Sequence, residues 1–166
     1  MKLVLPSTAI SVVVNRTLRI NGRIMSTKYP KSPKEMTNGM MYFARMLDKI
    51  RLHADEELHE DYHKNLGAQN AADGRCCNFL RVDHRDLCAR VLEGGTDEEI
   101  LEWCFEKGRR LNEGDLLVWN GFASKLGWRD FATPRLEEAK RRLGIADRAD
   151  IVTMGDLFDF EEGRKS

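Results

Sequence analysis

Helix punctuation is the feature that most limits what this chain can become. Thr96-Asp97-Glu98-Glu99 reads as a capping box, in which the threonine accepts from the third helical amide and the glutamate reaches back. Asp83 stands ahead of His84-Arg85-Asp86, and Asn112 ahead of Glu113-Gly114-Asp115. Ser32-Pro33-Lys34-Glu35 joins a cap to a proline at the first helical position, and Thr133-Pro134 opens a further helix. Gly94-Gly95, Gly127 and Gly144 stand where helices should stop.

Apolar spacing agrees with these boundaries. A helix beginning at Pro33 would align Met36, Met40, Phe43, Leu47, Ile50 and Ala54 in one stripe. Ile100, Cys104 and Leu111 do the same over 97–111, and Leu116, Trp119, Phe122 and Leu126 over 113–126. The stretch 97–126 therefore predicts a helical hairpin turning at Leu111-Asn112. Leu87, Val91 and Leu92 line a shorter helix. Residues 134–143 are charged on most faces and are expected on the outside, and Ile151, Met154, Leu157 and Phe158 predict a last helix docking back. The expected fold is all-α: a compact multi-helix orthogonal bundle of six or seven helices over 29–162.

The first 28 residues read differently. Residues 1–24 are rich in Val, Ile, Leu and Thr, with no turn signal for a strand pair, and 1–28 form a loosely ordered N-terminal extension in this reading. Met25 is the expected biological start. The opening MKLVLPSTAISVVV resembles a weak signal peptide but lacks a small-x-small cleavage site, and Asn15 and Arg16 interrupt it. No stretch approaches the ~20 apolar residues of a membrane span. The four cysteines include no C-x-x-C pair, so reduced thiols in a cytoplasm are expected.

The 166-residue chain carries 27 Lys+Arg and 27 Asp+Glu. This balance argues against nucleic acid as the partner, which favours a basic excess. Two groups of side chains suggest a small anionic ligand or a protein partner instead. On the helix from Pro33, Met41, Arg45, Asp48 and Leu52 lie opposite the main stripe, with Lys49 beside them. Arg45 and Lys49 offer donors, and Asp48 fixes the arginine from one turn away. The alternative is a structural ion-pair network. The second group lies on and after the 113–126 helix, where Asn120 and Ser124 share a face and Trp128 and Arg129 come next. Such groups line pockets, or else fill a core and satisfy a loop. The apolar ends of the first group predict that Arg45, Asp48 and Lys49 face the 120–130 segment.

Two further patterns compete. His59 and His63 share a helix face as metal ligands do, but no H-E-x-x-H accompanies them and no metal or other cofactor is expected. Cys76 comes after Asp73-Gly74-Arg75, where a helix N-terminus would lower its pKa; a turn into a core helix is the plainer reading.

From Tyr29 onward, YPKSPKEM, ARMLDKIRLH, DGRCCNFLRVD, GTDEEILEWC and SKLGWRD resemble a family of small bacterial proteins known only as a domain of unknown function. The resemblance implies a self-standing bacterial cytoplasmic protein and no particular activity. The residues themselves point first to a non-enzymatic binding or regulatory module, in a cleft lined from 45–49 and 120–129. An enzyme using Cys76 or a His59/His63 metal site comes second. A helix-turn-helix DNA binder built on 97–126 comes last, because its would-be recognition helix is too apolar for a groove.

Overall fold

The computed structural model describes residues 18–20, 23–25 and 27–166. Seven α-helices make up about half of that length: α1 (Phe43–Ala54), α2 (Ala72–Leu80), α3 (His84–Leu92), α4 (Asp97–Lys107), α5 (Glu113–Lys125), α6 (Thr133–Arg142) and α7 (Met154–Glu161). A 3-10 turn, Glu60–Asn65, lies between α1 and α2. The fold is all-α, as the punctuation implies. Capping boxes at Thr96, Asn112 and Thr153, and the Asp83 cap, open α4, α5, α7 and α3. No described helix is long and apolar enough to cross a membrane.

The start of the first helix is a correction. Ser32 to Glu35 form a turn, with the Glu35 amide on the Ser32 carbonyl at 3.1 Å. A hairpin comes next: β3 (Met36–Thr37) pairs antiparallel with β4 (Met40–Met41) across Asn38 and Gly39. Both turn residues have positive φ, 43° and 80°, which is the backbone that Asn-Gly adopts in a tight hairpin. Helical spacing continues through this segment by coincidence, and Met36 is exposed rather than part of the stripe. Ala54, at the other end, is exposed too. Gly39→Ala should cost about 1–2 kcal/mol, because an L side chain resists this left-handed backbone. A denaturant midpoint that does not move would show that the hairpin contributes nothing.

The hairpin docks on α5. Trp119 Nε1 donates to the Met41 carbonyl at 2.9 Å, Asn120 Oδ1 accepts from the Met41 amide at 2.9 Å, and Asn120 Nδ2 donates to the Gly39 carbonyl at 2.7 Å. Asn120 is thus the polar clasp between α5 and the hairpin.

A second Asn-Gly pair, Asn21-Gly22, separates β1 (Leu18–Ile20) from β2 (Arg23–Met25), which pair antiparallel. This dipeptide is the turn signal of the N-terminal region, where none was expected. The rest of the expected 1–28 extension, and the signal-like opening, lie outside the described residues. Lys28 itself is tied to the helical body through a parallel bridge with Leu58.

Helix α1 runs through the main core. Phe43, Met46, Leu47 and Ile50 pack with Cys76, Cys77 and Leu80 of α2, Leu87 and Val91 of α3, Ile100, Leu101 and Cys104 of α4, and Trp119 of α5. Each such large apolar side chain contributes roughly 1.5–3 kcal/mol by leaving water. A second cluster joins Leu136 of α6 to Ile151, Met154 and Leu157. Helix α6 is therefore anchored, not merely external: Lys140 is buried, and its ammonium donates to the carbonyls of Arg148 (2.9 Å) and Ile151 (3.1 Å).

Candidate functional site

Four of the seven α-helices carry a side-chain cap, and each of those four has an acidic residue in its first turn. The other three, α1, α2 and α6, have none of their N-cap side chains accepting a hydrogen bond. Their N-cap residues are Tyr42, Ala71 and Ala132, and all three line one cavity of about 280 Å³. Thr133-Pro134 opens α6, as the sequence suggests. The Thr133 hydroxyl accepts from the Asp130 amide at 2.9 Å.

Each of these helices also opens with an arginine in or just beyond its first turn: Arg45 in α1, Arg75 in α2 and Arg135 in α6. A cation there opposes the positive end of the helix dipole. The three arginines and Lys49 line the cavity, with Tyr42, Tyr62, Asn65 and Asn70. No carboxylate lines it. Its apolar walls are Leu126, Phe131, Met154 and Phe158. A second cleft, of about 870 Å³, shares Tyr62, Asn65, Arg135 and Phe158 with it but adds Asp61, Glu138 and Glu161. The charge asymmetry thus belongs to the smaller cavity.

Two of the four cations are neutralised from behind. Arg45 is 1% exposed and makes a forked pair with Glu162 just past α7, at 2.5 and 3.0 Å, with a third bond to the Lys31 carbonyl at 2.6 Å. Tyr62 and Arg164 also donate to Glu162. Lys49 is 4% exposed and donates to Asp73 Oδ1 at 2.6 Å and to Tyr42 Oη at 3.0 Å. Tyr42 donates to the same carboxylate oxygen at 2.8 Å, and the Gly67 amide holds the other at 3.0 Å. The remaining two cations are unneutralised. Arg75 donates to the Asn70 carbonyl and lies over the Phe131 ring, and Arg135 is exposed; neither has a carboxylate partner among the described residues.

Burial shapes the titration of this cluster. It lowers the proton affinity of Lys49, against the opposing pull of Asp73. Burial raises Tyr42 well above the ordinary tyrosine value, with Asp73 adding to it, and pushes Tyr62 up to about 12. Tyr42 also holds a strained backbone, φ 71° and ψ −25°, which costs of order 1–3 kcal/mol and is the kind of feature that functional sites retain.

The residues expected at a site are therefore divided. Arg45 and Lys49 meet at the cavity. Asp48 does not pair with Arg45; it accepts from the Lys31 amide at 2.9 Å. Asn120 clasps the hairpin, Ser124 is exposed on α5, and Trp128 is exposed with Arg129 over its ring. None of Asn120, Ser124, Trp128 and Arg129 lines the cavity, and of 120–130 only Leu126 reaches it. Met41 and Leu52 are covered, as their apolar character requires, but the charges between them face residues 30–31, 73 and 162.

Cys76 sits past the first turn of α2, fully buried, and burial pushes its thiol well above the usual value, which disfavours the thiolate. His59 accepts from the Asp61 amide and stacks on Tyr29, whereas His63 bonds the Leu58 carbonyl and meets the ring of His53. Among the described residues no three side chains group as a metal site would. All four cysteines are free.

Sequence reasoning missed Tyr42, Asp73, Arg75, Arg135 and Glu162. The available signal was electrostatic. An arginine near an uncapped helix start is locally unfavourable, and three of them in one chain set these helix starts apart from the other four.

These features define an all-α chain organised around a cationic, carboxylate-free cavity. The chain belongs to the domain-of-unknown-function family DUF5069, which matches residues 27–164. A search of curated proteins found no match.

Proposed function

We propose that the protein is a binding module for a small anion with an apolar or aromatic body, held in the cavity between α1, α2 and α6. The observation that carries this reading is the convergence of three uncapped helix N-termini and four cations on a space with no carboxylate in its lining. Helix N-termini favour anions through both their free amides and their dipoles. Arg75 and Arg135 supply the charge that protein carboxylates do not cancel, whereas Phe131, Phe158, Leu126 and Met154 suit an apolar body. The size of the space supports a small molecule over a nucleic-acid backbone, which needs cations spread along a face. A protein partner has weaker support, from Leu117 and Val118 exposed on α5. Four free thiols fit a reducing bacterial cytoplasm as the setting.

Titration calorimetry with benzoate, phenyl phosphate and inorganic phosphate tests the reading. Arg135→Ala should weaken binding roughly 10- to 100-fold, the effect of one hydrogen bond to a charged group. Its melting temperature should stay unchanged, because Arg135 is exposed and has no side-chain partner among the described residues. Failure of all three anions to bind, or equal affinity in the variant, would sink the proposal.

A further inference from the structure

The lysine in the cavity wall is more than a counter-charge. Lys49 Nζ has three donors and uses two of them, on Asp73 and Tyr42; the third has no acceptor among the described residues. Lys49 and Tyr42 line the cavity, whereas Asp73 lies behind them and does not. A lysine in the wall of a ligand space, with a carboxylate to take its proton and a phenol beside it, has the groups that carbonyl chemistry needs. Arg45 stands one turn away on α1, its Cβ roughly 5–6 Å from that of Lys49. Arg45 is taken up by Glu162, but Arg75 and Arg135 line the same cavity without a carboxylate partner among the described residues and suit a ligand that carries an anionic group beside its carbonyl.

We propose that Lys49 forms a Schiff base with a small oxo acid, whose carboxylate is held by the cavity arginines. This rests on the anion-binding reading above. Asp73 takes one proton from the ammonium, and the freed amine attacks the carbonyl carbon. The C–N bond forms as the C=O π pair moves to oxygen, beside the Tyr42 hydroxyl. The nitrogen gives up a second proton to that oxygen, producing the neutral carbinolamine. Tyr42, which bonds Asp73 and lines the cavity, then gives its phenol proton to the hydroxyl and recovers one from Asp73; the hydroxyl leaves as water while the nitrogen lone pair closes the iminium. No electrons are gained or lost overall, and the net products are an iminium and water. The iminium keeps the positive charge of the original ammonium, so the buried pairing with Asp73 survives the reaction. Burial, which lowers the proton affinity of Lys49, favours the amine that the first step needs.

Reductive trapping decides the matter. The full-length protein is incubated with pyruvate and sodium cyanoborohydride, digested, and mapped by mass spectrometry. The reduced pyruvyl adduct should form on Lys49 at least ~10-fold faster than on any exposed lysine such as Lys28 or Lys34, a small part of the advantage that fixed orientation confers. Acetone, which lacks the carboxylate, should not show this selectivity, and Arg135→Ala should slow labelling with pyruvate. Adduct scattered over exposed lysines, no adduct, or equal selectivity with acetone overturns the Schiff base. Calorimetry with lactate and benzoate on the same preparation separates the two ideas. Binding without trapping removes the Schiff base and leaves the anion site standing, whereas absence of binding removes both.

Discussion

Asp73→Asn is expected to lower stability by about 3–5 kcal/mol at neutral pH, with a deficit that shrinks as the pH rises. Asp73 is fully buried and takes two bonds from Lys49 and Tyr42 on one oxygen and one from the Gly67 amide on the other. Its carboxylate charge is what makes an ammonium tolerable at 4% exposure. The amide keeps the shape and removes the charge. Lys49 then feels burial without the two influences of Asp73 that raise its proton affinity, so its folded-state pKa falls further below the unfolded value. Between those two pKa values the unfolded chain holds more protons than the folded one, and stability rises with pH. The recovery ends near pH 10, where the unfolded chain ionises its tyrosines while buried Tyr42 resists, and the slope reverses. Urea denaturation of both proteins at steps from neutral pH to about pH 10 measures the difference. A deficit independent of pH would mean that charge is not what Asp73 contributes.

Glu162→Ala should cost a similar 3–5 kcal/mol, and clearly more than Asp48→Ala. Both oxygens of Glu162 are spent on the Arg45 guanidinium, and its side chain is 0% exposed. Removing it leaves a buried arginine with only the Lys31 carbonyl at close range. Asp48, whose spacing along α1 suggests it as the arginine's partner, gives up only its bond to the Lys31 amide, worth about 1.5–3 kcal/mol at most. Equal midpoints for the two variants, or the reverse order, would return Arg45 to Asp48.

The contrast between those two carboxylates shows what kind of information each level holds. Asp48 is three residues from Arg45, within reach on any helix surface, and the geometry of α1 alone makes the pair plausible. Glu162 lies more than a hundred residues away, and nothing local marks it. Its selection depends on α7 docking against residues 30–31 and α1. Similarly, Asn120 reads as a polar lining group on an apolar helix. Only the position of the 36–41 hairpin turns it into a backbone clasp.

Helix starts were legible where a cap is a contact between a side chain and an amide two or three residues on. Thr96, Asn112 and Asp83 needed nothing from the rest of the fold. The pattern misled at Ser32, where the same local chemistry closes a turn and the Asn38-Gly39 signal, not the apolar period, governs residues 36–41. There two local rules competed, and the left-handed preference of Asn-Gly prevailed.

By itself, then, the sequence determined the helical class, the four capped helices, the apolar stripes that form the main core and the exceptional character of Arg45 and Lys49. Those are near-neighbour properties, decided by hydrogen bonds and periodicities spanning a few residues. The tertiary structure decided where the three uncapped helices point, which carboxylates meet the buried cations, and that Arg75 and Arg135 join them around a single space. The physical reason is range. A cap or a stripe is satisfied within one element, but a buried charge is stable only beside a partner whose approach depends on the packing of every element between them.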